Sequence, residues 1–437
     1  MKLNKWTVGL AAVGAVSLAS VAKADEKSSS LTSVSSTVLS GYVDTSMQWN
    51  LGEGDSHAPG YKYGGANKAD GFNLDVVDLT FEKPLDESEW SSGYKAELWL
   101  GPDGNTLGTS STLTTFGTSS AQTKSDFAIK QAYVALRAPV GNGLDFKVGV
   151  FDSVVGYESS DSINNPNYTR SWAHSFEPAE NTGILATYRV NNMIAFSAGI
   201  ADIESSQING RAQELALNKT STVVNESYKA YLASVALTAP DDWGFLAGSS
   251  LYAGFVSGWD AGLGANGNPQ QNYYVGATIN TPVTGLKTGV SFDYLRSEDT
   301  LASGALPAGG GFNTVGAHAW SLYASYQATE KLSFHGRAEY FDISPYAASA
   351  LQTATGGSQG LNGQLGGVAS SMMSWTGTVQ YDLWKNVLSR VELRWDHALD
   401  GSDAFGGTGP QANQSGHIVT GTLNNSFIFA ANIIYKF

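Results

Sequence analysis

The chain has 437 residues, a formal charge of −14, 50 glycines, no cysteine and only 15% charged residues. Its acidic balance lacks the basic surface that nucleic-acid phosphates require, and without cysteine it holds no disulfide, thiolate metal centre or cysteine nucleophile. Aromatic residues at 11% set it apart from a disordered chain, and the length suits either two or three soluble domains or one large barrel.

At the amino terminus, Lys2 and Lys5 precede an apolar stretch from Trp6 to Ala19, and Ala22-Lys23-Ala24 has the small-x-small pattern of secretory cleavage. Residues 1–24 read as a signal peptide for export through the Sec pathway, cut between Ala24 and Asp25. Losing Lys2, Lys5 and Lys23 takes the formal charge from −14 to −17. No later segment approaches the roughly 18 consecutive apolar residues of a membrane helix, so a membrane crossing must be made by strands. Residues 25–36 form a short polar tail, and residues 37–437 a single domain.

From Val38 onward one pattern repeats: an alternating run, then a turn or loop. The first run carries Leu39, Val43, Met47, Trp49 and Leu51 on one face and Ser40, Tyr42, Asp44, Ser46, Gln48 and Asn50 on the other, the two-residue period of a strand with one apolar side. The same alternation recurs over residues 77–81, 94–100, 128–138, 144–150, 184–190, 194–200, 233–237 and 251–255. It continues over 273–279, 286–294, 320–326, 332–340, 373–381, 387–395 and 427–437, giving sixteen runs. Short connections such as Pro139 to Gly143 and Trp384-Lys385-Asn386 alternate with long loops rich in Gly, Ser, Asn and Thr. Tight turns at one end and long loops at the other predict an all-β transmembrane antiparallel up-and-down β-barrel of about 16 strands. Its turns are periplasmic and its loops extracellular, which places the chain in the bacterial outer membrane.

Trp49, Tyr294, Trp320, Tyr340, Trp375 and Trp395 fall on the apolar face at loop ends, and Tyr188, Tyr326, Tyr381 and Tyr435 at turn ends. Two such belts of amphipathic rings are expected where a barrel meets the interfaces of outer-membrane lipid. The amphipathic last strand ends on Phe437, which resembles the terminal signature read by the outer-membrane insertion machinery.

Two stretches resemble a known family. Ser40-Gly41-Tyr42-Val43-Asp44-Thr45 is one. The other runs from Gln131-Ala132-Tyr133-Val134 through Lys147-Val148-Gly149-Val150-Phe151-Asp152 and Val155-Gly156-Tyr157-Glu158, then Asn167-Tyr168-Thr169-Arg170-Ser171-Trp172 to Asn181-Thr182-Gly183. Both are similar to the OmpL-like family of β-barrel outer-membrane porins. The resemblance implies a water-filled channel for passive diffusion of small hydrophilic solutes and ions. No enzymatic activity is expected, since no His-Glu-x-x-His motif occurs and the six histidines are dispersed. The rival reading is a structural or adhesive surface protein that displays its loops without significant conductance.

In a barrel of this size the function lies on the inward face. A charge on a lipid-facing strand position costs a few kcal/mol near the midplane, so strand charges are expected to face water. The pore-lining candidates are Asp44, Lys147, Arg337, Glu339, Arg390, Glu392 and Arg394, with Lys95, Glu97, Arg137, Arg189, His335 and Asp396 in the same phase. The third long loop, 152–181, occupies the position of the inward-folding loop of general porins. Its Glu158, Asp161 and Arg170 are constriction candidates facing wall cations such as Lys147 or Arg337. Tyr42, Trp99, Tyr133, Tyr252 and Tyr323 are expected inward as wall packing. The net acidity favours cations, although much of it sits in loops such as Asp396 to Asp403. No cofactor or metal is expected, since no twelve-residue calcium loop occurs. By analogy with general porins, the assembly is expected to be a homotrimer.

Two motifs are decoys. Gly262-Leu263-Gly264-Ala265-Asn266-Gly267 spells a dinucleotide fingerprint without the following helix it needs. Gly356-Gly357-Ser358-Gln359-Gly360 spells a hydrolase elbow without its strand-to-helix turn.

Overall fold

The computed structural model describes residues 37–52, 59, 61–64, 68–109, 125–215, 223–226, 228–259, 269–299, 313–343, 369–406 and 422–437. The signal segment 1–24 with Ala24, the tail from Asp25, and both decoy motifs lie outside the described residues. The strands in chain order are β1 (Val38–Asn50), β2 (Gly71–Lys83), β3 (Ser92–Leu100), β4 (Phe127–Ala138), β5 (Leu144–Asp152), β6 (Glu180–Arg189), β7 (Ile194–Ala201), β8 (Ala212–Leu215) and β9 (Val223–Glu226). They continue as β10 (Ala230–Thr238), β11 (Ser250–Trp259), β12 (Pro269–Asn280), β13 (Leu286–Asp299), β14 (Asn313–Gln327), β15 (Leu332–Ile343), β16 (Ser371–Trp384), β17 (Val387–Ala398) and β18 (Asn425–Lys436).

Sixteen of these close into one antiparallel barrel in chain order, and β8 and β9 form a separate two-stranded sheet within the fourth long connection. Every predicted run falls in a barrel strand; the small hairpin is an addition. Closure is made by β1 against β18, from Tyr42 opposite Lys436 to Asn50 opposite Ile428. The last residue continues this seam: Gly41 and Phe437 exchange backbone hydrogen bonds of 3.1 and 3.0 Å. A closed ladder leaves no strand edge unpaired, which hydrocarbon demands because it offers no alternative partner for an amide.

The outer surface is apolar where a soluble protein would be polar. Leu322 is 60% exposed, with Trp320, Trp375, Phe334, Val391 and Ile433 also outward. At the loop end, rings on adjacent strands touch in pairs, Phe292 with Trp320 at 4.4 Å and Tyr273 with Tyr294 at 6.2 Å between centroids. These outward side chains belong to the lipid-facing phase.

Two bulges break the phase within the wall, and a third register shift, between Asp382 and Trp384, lies at the turn end. Along β1 and β2, Asp44 pairs with Val76 but Thr45 pairs with Leu74, leaving Asp75 as an extra residue. Along β3 and β4, Glu97 pairs with Gln131 but Leu98 pairs with Ile129, leaving Lys130 extra. An inserted residue lets two successive side chains share a face. Asp75 and Val76 are both buried, as are Lys130 and Gln131, whereas Phe72 and Leu74 are exposed. The bulge at Asp75 also explains why the alternation seen from Val77 onward understates β2, which begins at Gly71.

Candidate functional site: the barrel lumen

The inner wall has two regions. Toward the loop end every barrel strand contributes a buried inward side chain, from Gln48 on β1, Trp99 on β3 and Phe151 on β5 to Phe341 on β15, Asp396 on β17 and Ile428 on β18. Toward the turn end, Arg137, Asp145, Lys147, Thr187, Arg189 and Lys287 are only half-buried.

The third loop, residues 153–179 between β5 and β6, covers much of the first region, and Tyr61 and Tyr63 of the first loop meet Gln48 and Trp99. Trp172, 0% exposed, donates its backbone amide to Glu339 Oε1 at 2.7 Å. Its indole Nε1 donates to Asp396 Oδ1 at 2.8 Å and Ser374 Oγ at 2.9 Å, and its ring stacks on Phe341. Arg337, 2% exposed, joins loop to wall: Nη1 meets Glu158 Oε1 at 2.9 Å and Nε meets Glu339 Oε2 at 2.7 Å. The same guanidinium donates to Thr169 O at 2.7 Å and Arg170 O at 3.1 Å. Glu392 accepts the amides of Tyr168 and Thr169 at 2.6 and 2.9 Å, and Thr378 Oγ1 at 2.6 Å. Arg394 pairs with Asp396 at 2.8 Å and donates to Arg170 O at 2.6 Å.

Arg390 Nη2 donates to Asn165 O at 2.6 Å, while its Nη1 is buried with no hydrogen-bond partner among the described residues. Asp44 accepts from Asn432 Nδ2 at 2.9 Å. The strand charges expected to face water thus lie on the lumen side, but Asp44, Arg337, Glu339, Arg390, Glu392 and Arg394 are covered. The reason is energetic: an ion removed from water must be paired and hydrogen-bonded, and loop carbonyls and amides provide such partners for Arg337, Glu339, Glu392 and Arg394. Lys147 differs. It is half-buried, its Nζ 4.9 Å from the centre of the Tyr133 ring.

Of the loop charges, Glu158 reaches Arg337, and its Oε2 also accepts the Ser171 amide at 2.7 Å. Arg170 is turned into the loop itself, donating to Ser159 O, Ser160 O and Tyr168 O at 2.8–3.0 Å. Asp161 meets Lys130 Nζ at 3.3 Å and forms, with Asp78 and Glu97, a group of carboxylates within 4.8 Å of one another. Lys130 also contacts Asp152 at 2.9 Å and Glu97 at 3.3 Å, so an ammonium group supplies the positive charge at that cluster. Burial pushes Asp161 up to about 6 despite Lys130 beside it. Burial likewise holds His174 well below its usual value, and its Nδ1 lies 3.2 Å from Glu177.

The opposite wall accepts the loop through missing side chains. A Cβ on Gly254 would lie 1.8 Å from Val154 O, the carbonyl that accepts Tyr252 Oη at 3.0 Å. Tyr157 stacks on Tyr323 with centroids 4.2 Å apart and shares a 3.0 Å hydrogen bond with Thr278. Lys130 and Trp172 were not among the candidates drawn from sequence. Lys130 is out of phase with Tyr133 and Arg137 because of the bulge. Trp172 lies in a loop, where periodicity carries no information.

The family model described as "Putative beta-barrel porin-2, OmpL-like" matches residues 36–437, and the chain belongs to that family. The anion-selective porin of Comamonas acidovorans is similar in structure, with a TM-score of 0.56 at 12% identity over 92% of this chain and 99% of that one. The outer-membrane channel DcaP of Acinetobacter baumannii gives 0.56 at 11%, covering 92% and 97%, and Pseudomonas putida OprB 0.54 at 10%, covering 92% and 94%. No curated protein sequence matches the chain. The protein is an outer-membrane β-barrel porin and not an enzyme.

Proposed function

We propose that this porin is a diffusion channel for small hydrophilic solutes and ions, narrowed by its third loop. The observation that carries this reading is the division of the inner wall: its turn-end part reaches solvent, and its loop-end part is covered, in large part by residues 153–179. Solutes then pass beside or under that loop, with Glu158 and Asp161 setting the width through Arg337 and Lys130. Asp44, Arg390 and Arg394 belong to the frame that holds the loop. The same reading includes Sec export with cleavage between Ala24 and Asp25, insertion through Phe437, and a homotrimer. A trimer form of Vibrio cholerae OmpT is among the structures similar to this chain, at a TM-score of 0.50 and 11% identity over 92% of this chain and 99% of that one.

Purified protein in planar bilayers tests the channel. Stepwise conductance smaller than that of a variant with a detached third loop is expected. A silent barrel that is correctly folded, judged by heat-modifiable gel mobility, overturns the reading and favours the display protein.

A further inference from the structure

The overall charge of the chain and the charge of its reachable lumen have opposite signs. Inward-phase cations that are not buried are Lys95, Arg137, Lys147, Arg189, Lys287 and Lys436. Inward-phase acids in the same condition are Glu82, Asp145 and Asp382. Part of each set is already neutralised. Arg137 grips Asp145 through two hydrogen bonds of 2.7 and 3.0 Å, and Lys95 contacts buried Glu97 at 2.6 Å. Lys147, Arg189 and Lys287 have no salt-bridge partner among the described residues, and Lys147 and Arg189 stand on the neighbouring strands β5 and β6. Of the deeper acids, Glu97 is committed to Lys95 and Lys130, Glu158 and Glu339 to Arg337, Asp396 to Arg394, and Glu392 to loop amides. Asp44, Glu180 and Asp293 keep carboxylate oxygens without a hydrogen-bond partner among the described residues but are buried at 1% exposure or less.

We propose that the lumen selects small anions, and that Lys147 and Arg189, with Lys287 across the barrel, form the belt that does so. The inference rests on the channel reading and names its substrate class. Charges inside a water-filled cavity with low-dielectric walls act on a passing ion through focused field lines. Acids in the short turns, such as Asp86, Glu87, Asp241 and Glu330, stand outside that cavity. Salt screens them over a Debye length of about 8 Å at physiological ionic strength. Exposed loop acids such as Asp400 and Asp403 are likewise outside it. The acidity of the whole chain therefore does not set the sign of the permeant ion.

The test is the reversal potential under a potassium chloride gradient across a planar bilayer holding the full mature chain. A chloride-over-potassium preference is expected in the native protein, and Lys147→Glu with Arg189→Glu should reverse it while leaving gel mobility unchanged. Should that pair fail to fold, Lys147→Gln and Lys287→Gln should each lower the preference part of the way. A native preference for potassium, or no preference, overturns the proposal, as does a chloride preference that none of these variants moves. A folded barrel that conducts nothing defeats the channel reading instead. The charge assignment is then read by chloride NMR line broadening in neutral detergent. Broadening by the native protein that the glutamate variants lose supports the belt, and equal broadening overturns it.

Discussion

Arg337 and Arg137 make the same chemical contact, a guanidinium on a carboxylate at 2.7 Å, in two different surroundings. Arg337 is buried beneath the third loop with Glu158 and Glu339 around it, whereas the Arg137 and Asp145 side chains remain 20% and 25% exposed near the turn end. Removing one partner of a buried pair leaves an uncompensated charge in a low-dielectric site; removing one partner of a wet pair lets water replace it. The lumen therefore contains structural charge and available charge, and burial distinguishes them where residue type does not.

The largest effect is expected from Arg337→Ala. It strands two buried carboxylates and should cost about 3–5 kcal/mol, read as a lower urea midpoint for the folded barrel, together with larger and noisier conductance steps. Gly254→Ala comes next, because the new methyl group must displace the Val154 carbonyl. Overpacking of this kind costs about 1–3 kcal/mol, and the loop should shift enough to change unitary conductance while the barrel stays folded. An unchanged conductance would mean that this side of the loop does not bound the pathway. Arg137→Ala, at the other extreme, should cost about 1 kcal/mol or less and leave the conductance steps regular. A large destabilisation there would erase the distinction drawn between the two regions.

Acidity sharpens the comparison further. Asp161 has a folded-state value raised to about 6, above its value in the unfolded chain, so its neutral form favours the docked loop. That contribution is full below the unfolded value, near 3.9, and is lost as pH rises through about 6. Conductance should accordingly fall as pH drops from about 6 toward 4 and the loop seats more firmly. Asp161→Asn should flatten that part of the profile, and an unaltered profile would exclude Asp161 as its source.

The barrel was legible because lipid and water impose opposite demands on alternate residues. Leu39 against Ser40, or Val391 against Arg390, suffices to orient a strand. The ends of strands were less legible. β14 begins at Asn313, but Gly316, Ala317 and Ala319 are too small to give contrast, and the alternation becomes clear only at Trp320. The site was readable in part. Arg337, Glu392 and Arg394 were in the correct phase, but phase separates inside from outside and carries nothing about what covers the inside. That depends on the path of the third loop, where Trp172 and Thr169 contact residues more than 150 positions away.

The extra residues at Asp75 and Lys130 also bear on how such a chain tolerates changes in length. Deleting either one would join an outward neighbour directly to an inward one, Leu74 to Val76 or Ile129 to Gln131, and regular alternation would resume with no other side chain changing sides. A deletion elsewhere in the same strands would turn oily groups toward water along the rest of the segment. Insertions and losses among relatives of this barrel are therefore expected to collect at these two positions.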